Sequence, residues 1–177
     1  MSSDAGRATL GRMTYHHCTR RLVAVDLENV AHTAIVDVEW AVDAAYLLST
    51  TMHLDERDLV YVAGGPQNLE AVARVARIMH GQARIRAGVD GADRTLIEVL
   101  DETPTSAIES GRTPITEVVV MSGDGIFAPV AQRYATRGLD VVVVSRTDQL
   151  SGDLEAVASR VVLVDGLIRP DEYALTA

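Results

Sequence analysis

The chain has 177 residues, of which 47% are hydrophobic, and a formal net charge of −9. That length suits one domain with a substantial core, and that composition excludes a disordered or fibrous protein. The acidic balance argues against a dedicated nucleic-acid-binding module, which is usually basic, but not against an enzyme that acts on nucleic acid through a metal-binding acidic cluster.

In chain order, residues 1–20 are polar and patternless and read as a tail, without the apolar stretch of a secretory signal. "RLVAVDLENV" opens a first apolar strand, about Leu22–Asp26. "VEWAVDAAYLLST" has helical spacing, with Val38, Ala41, Val42, Ala45 and Leu48 on one face. "DLVYVAGG" is a second strand. Pro66 is placed to open the amphipathic helix "NLEAVARVARIMH", with Gly81 as its stop. "ARIRAGVD" is a weaker third strand and "ADRTLIEVLDE" a helix, followed by a loop over residues 103–116 with one short helical turn. "EVVVM" is a fourth strand and "IFAPVAQRYATRG" a helix closed by Gly138. "LDVVVVSR", "SGDLEAVA" and "RVVLVDG" complete the pattern as strand, helix and strand. The domain is expected over residues 21–168, with a second tail over 169–177.

Strands that are near-continuous apolar runs, alternating with helices, predict an α/β fold. The expected form is a three-layer α/β/α sandwich with a central, mostly parallel sheet. In such sheets ligands bind outside the carboxyl ends of the strands. Polar residues that no strand needs stand at those ends. Asp26 ends the first strand, with Asn29 three residues on; Asp90 and Asp93 follow the third; Asp124 follows the fourth, in "VVVMSGDG". Asp90 and Asp93 are spaced i, i+3 and share the first turn of the next helix. Each has an ordinary explanation: Asp26 as a cap, Asp93 as a partner of the helix dipole, Asp124 as a turn residue. Together they form a carboxylate set whose mutual repulsion calls for a divalent cation. Oxygen-only ligands, without His or Cys, suit Mg²⁺ or Mn²⁺ rather than Zn²⁺.

The ordered motifs "VDLENV", "GVDGADRTLIEVL" and "VVVMSGDGIFAPVAQRYATRGLDVVVVSR" resemble the NYN domain family of the PIN-like nuclease superfamily, from about Arg21 to Gly166. The resemblance implies a three-layer fold around a parallel sheet and a metal-dependent ribonuclease. It places Asp26, Asn29, Asp93 and Asp124 on the family's catalytic positions, with Asp90 beside Asp93. The implied metal ligands are Asp26, Asp90, Asp93 and Asp124, the cofactor Mg²⁺ or Mn²⁺, and the substrate RNA. Ser122 would hydrogen-bond a phosphate oxygen or a ligand carboxylate. Two positions depart from the family pattern: Ile126 stands where many members have a second acid, and Ala87, next to Arg86, where many have a lysine. A non-catalytic NYN-like domain that binds RNA or a protein is the alternative.

Two further readings fit less well. A haloacid-dehalogenase-like phosphatase would want an aspartate where Glu28 stands, and a lysine, whereas all 16 basic residues are arginine. A nucleotide-binding fold would want a phosphate loop that "VAGGPQN" does not supply. "HHC" at 16–18 lacks the further ligands of a zinc site. Trp40 and Tyr46 read as packing residues, and Arg84, Arg86 and Arg94 lie near the expected crevice, with Arg94 a candidate phosphate contact. A single cysteine, Cys18, fits a reducing, cytoplasmic setting, and no apolar run approaches the roughly 20 residues of a membrane helix. The generous apolar faces are compatible with a homodimer.

Overall fold

Valine-rich strands buried on both faces need helices over both sides of their sheet, the arrangement of parallel α/β sheets. The computed structural model, which describes residues 20–103 and 113–166, is built this way. Six strands, β1 (Arg20–Asp26), β2 (Leu59–Gly64), β3 (Gln82–Ile85), β4 (Ile115–Met121), β5 (Asp140–Ser145) and β6 (Arg160–Leu163), pair in the order β3-β2-β1-β4-β5-β6. Every pairing is parallel, so the sheet is wholly rather than mostly parallel. The expected tail reaches one residue too far, since the buried Arg20 already belongs to β1. The rest of that tail, with "HHC", lies outside the described residues, as do most of the 103–116 loop and the 169–177 tail.

The helices are α1 (Leu27–Ala31), α2 (Val38–Thr51), α3 (Leu69–Ile78), α4 (Gly91–Glu102), α5 (Ala128–Thr136) and α6 (Gly152–Val157). Strand alternation divides the core in two. Val23, Val25, Val60, Val62, Val119 and Val142 pack with α2 and α3 on one face. Leu22, Ala24, Val118, Val120, Val141 and Val143 pack with α4, α5 and α6 on the other. The chain leaves β1 toward one face and β4 toward the other. These two strands are neighbours, so a crevice opens between their carboxyl ends. Among the described residues no helix is long and apolar enough to cross a membrane.

Several local expectations shift. The buried stripe of α2 is Trp40, Ala41, Ala44, Ala45 and Leu48, with Val38 and Val42 only half-buried. The helix has turned to bury its indole. Trp40 is core as expected, but Tyr46 is 61% exposed and packs nothing away. Pro66 opens a 3₁₀ turn, Pro66–Asn68, that runs on into α3. At the other end of α3 the left-handed residue is His80, at φ 53°, not Gly81. Gly81 is needed for a different reason: a Cβ there would lie 2.7 Å from the Val60 carbonyl oxygen. Gly138, at φ 82°, follows α5 in the left-handed conformation expected of a helix stop. α1 is too short for its periodicity to be read from sequence.

α4 carries Asp93, and Tyr134 of α5 holds α4 in place. This tyrosine is 2% exposed, and its hydroxyl donates to the Leu100 carbonyl. Tyr134→Phe removes that bond and is expected to cost about 1–2 kcal/mol. Urea denaturation measures this directly; an unchanged midpoint would show that the bond does not hold the two helices together.

Candidate functional site

The site begins at the last residue of the central strand. Asp26 is 4% exposed. Its Oδ1 accepts the Asn29 N–H at 3.2 Å, so it does cap α1. Its Oδ2 accepts the Ser122 hydroxyl at 3.2 Å across the crevice. One carboxylate therefore both caps α1 and bridges the crevice to the end of β4.

The turn after β4 is clamped to this strand end. Asn29 Oδ1 accepts the Gly123 N–H at 2.8 Å, and Ser122 Oγ accepts the Asp124 N–H at 3.2 Å. The Gly123 carbonyl accepts the Ser151 N–H at 2.9 Å. A Cβ at Gly123 would lie 2.4 Å from the Gln149 carbonyl oxygen and 2.5 Å from Ser145 Oγ, so only glycine fits. Asp124 leaves this turn exposed, with Oδ1 accepting the Ile126 N–H at 2.9 Å. On the other side of the crevice, Asp90 takes the left-handed conformation, at φ 54°, immediately before α4, and Asp93 sits in the first turn of that helix.

Asp26, Asp90, Asp93 and Asp124 line one cleft of about 260 Å³, together with Glu28, Asn29 and Arg86. Burial, then the charge of Asp93, pushes the Asp26 carboxyl up to about 8. Asp93 is raised too, first by burial and then by the charges of Asp124, Asp90 and Glu28, against the hydrogen bond it shares with Asp26. Protonation of Asp26 relieves part of the repulsion. Among the described residues no arginine or histidine forms an ion pair with any of the four aspartates.

No three His, Cys, Asp or Glu side chains among the described residues are gathered closely enough to hold a metal ion as they stand. Asp26 and Asp93 face each other, while Asp124 turns one oxygen to its own backbone. The donor chemistry nevertheless fits a hard divalent cation: all donors are oxygens, one is deeply buried, and none is ion-paired among the described residues.

Of the arginines expected at the crevice, Arg86 alone lines the cleft, with Nη1 donating to Glu98 at 2.7 Å. Arg94 is exposed and absent from the lining, because it follows Asp93 by one residue and points about 100° round the helix. Arg84 lies along the edge strand, 5.2 Å from the Tyr61 ring centre. Ile126 is 38% exposed in the turn beside Asp124.

Glu28 was missed as a site residue. Its Oε1 accepts the Gly65 N–H at 2.7 Å, Gln67 Nε2 at 3.2 Å and Asn68 Nδ2 at 2.7 Å. Asn68, 2% exposed, also accepts the Val36 N–H at 2.9 Å. The signal was present in "VDLEN", where an acid stands between two residues already assigned to the site. Its partners lie some forty residues away, in the turn after β2.

No protein-family model matches the chain, and no curated protein matches it. The fold is similar to the crystal structure of a protein of unknown function from Vibrio parahaemolyticus. The TM-score is 0.57 at 18% identity, over 86% of this chain and 97% of that one. This likeness establishes the α/β architecture with helices on both faces of a parallel sheet.

The raised Asp26 carboxyl has a consequence for metal-free protein. Between its ordinary value of 3.8 and about 8, the folded state keeps a proton that the unfolded chain has released. The stabilisation is therefore complete at low pH and is lost as pH rises through about 8. In EDTA, melting temperature should fall between about pH 4 and pH 8, and Asp26→Asn should flatten that fall and be the more stable form at the upper end. A variant curve parallel to wild type would place the titration elsewhere.

Proposed function

We propose that this protein is a metal-dependent ribonuclease of the NYN, PIN-like kind, hydrolysing RNA phosphodiester bonds in the cleft between the ends of β1 and β4. The observation that carries the reading is the convergence of Asp26, Asp93 and Asp124, from three separate elements, on one cleft, with none of them in an ion pair among the described residues. Asp26, Asp93 and Asp124 would hold Mg²⁺ or Mn²⁺, with Asp90 at the rim. The ion would supply Lewis acidity toward a phosphate oxygen and offset the charge that develops on the leaving oxygen.

The chain's own groups orient that site. Ser122 Oγ fixes Oδ2 of Asp26, and Asn29 fixes the Gly123 backbone beneath Asp124. Asp124 Oδ2 accepts no hydrogen bond among the described residues and is left for a ligand. Arg86 is the cationic group that lines the cleft, a donor for a phosphate oxygen. The single cysteine supports a reducing, cytoplasmic setting.

A second reading, a non-catalytic NYN-like domain that binds RNA or a protein, is favoured by two observations. Ile126 replaces an acid, and the described carboxylates do not stand as a formed three-ligand group. Cleavage of labelled single-stranded and hairpin RNA with Mn²⁺, Mg²⁺ or EDTA separates the two. On the nuclease reading, cleavage needs metal, and Asp124→Asn loses about a hundredfold or more, the scale of removing a group that acts on the transition state. Its circular dichroism should stay native. Full activity in that variant would sink the assignment. Mn²⁺ raising the melting temperature of wild type but not of the variant, with no cleavage, would establish the non-catalytic reading.

A further inference from the structure

A second, larger groove of about 620 Å³ adjoins the carboxylate cleft, and the two share Glu28, Asn29 and Asp124 as a common wall. Its far side comes from two elements: His32 and Thr33 at the end of α1, and Asp148 and Gln149 in the turn after β5. Gln149 Nε2 and His32 Nδ1 are hydrogen-bonded, which ties these two sides together. The volume lies in the range of about 300–1,000 Å³ typical of sites for small molecules.

The lining decides what chemistry fits. No arginine lines this groove, and three of its residues, Glu28, Asp124 and Asp148, are acidic. A phosphate would meet like charge there. A neutral group rich in hydrogen-bond donors would meet acceptors on both sides. The neighbouring cleft differs, because Arg86 lines it. The geometry points to the larger groove as a nucleoside subsite: it takes the ribose and base next to the phosphate in the carboxylate cleft, and it favours RNA because the 2′-hydroxyl donates to its acceptors. This inference rests on the ribonuclease reading for the identity of the neighbouring phosphate site.

The test is the affinity of labelled five-nucleotide RNA and DNA of one sequence, by fluorescence anisotropy with Ca²⁺ in place of Mn²⁺. It is run on wild type, Gln149→Leu and His32→Asn, the last chosen because His32 sits at φ 54° and asparagine tolerates that conformation. Wild type should prefer RNA. Each variant should weaken RNA binding about tenfold, on the scale of one lost hydrogen bond, and change DNA binding little. Equal affinity of wild type for RNA and DNA, no binding of RNA, or wild-type RNA affinity in both variants would each overturn the subsite. Mn²⁺-dependent cleavage of long RNA by wild type is scored separately. Cleavage without RNA preference removes the groove and keeps the nuclease. RNA preference lost in both variants, without cleavage under any metal, keeps the groove as an RNA site and removes the nuclease.

Discussion

The site depends on one carboxylate that the fold has taken out of water. Asp26 ends the innermost region of the sheet, where β1 is paired on both sides and covered on both faces. A charge there is costly unless it is hydrogen-bonded, shared with a proton or matched by a cation. The structure supplies the first, through bonds from the Asn29 backbone and Ser122, and burial raises the carboxyl to about 8, which favours the second. The rest of the site follows from satisfying that group. Ser122 must stand opposite, which fixes the end of β4. Asn29 is held in the first turn of α1 by that carboxylate, and its side chain then ties the helix to Gly123.

This arrangement explains why residues far apart in the chain behave as one unit. Glu28 and Asn29 lie on successive positions of a single turn of helix but serve opposite walls. Glu28 gathers the turn after β2 through Gly65, Gln67 and Asn68, and Asn29 gathers the turn after β4. The topological switch between β1 and β4 makes this geometry available. Their outgoing chains part toward opposite faces, and only short polar side chains bridge the gap. Gly123 completes it by letting the backbone approach Gln149 and Ser145 more closely than any side chain would allow.

The two adjoining depressions divide the charge. The smaller concentrates aspartates around one arginine, and the larger has acidic and amide groups without an arginine. A protein with a net charge of −9 gains little from long-range attraction to a polyanion. On the proposed function, recognition on this surface would come from short-range hydrogen bonding and from the cation the aspartates would hold.

Much of this was legible in the linear sequence because the signals are local. Near-continuous apolar runs marked the strands, helical spacing marked α3, α4 and α5, and an acid after each of three strands marked the crevice. Asp26, Asn29, Asp90, Asp93, Asp124 and Ser122 are all brought to one sheet edge, as that placement required. What the sequence could not carry depends on distance and rotation. The orientation of α2 was decided by packing of Trp40, and Tyr46 was left outside. Arg94 turned away because a helix advances about 100° per residue. Glu28 became a hub only when β2 and its turn came alongside β1, and the left-handed role went to His80, since neighbouring Gly81 was taken by contact with Val60. Spacing along a strand determines which residues reach an edge. Only the folded chain determines which of them face each other, which keep their charge, and which groups from distant segments hold them there.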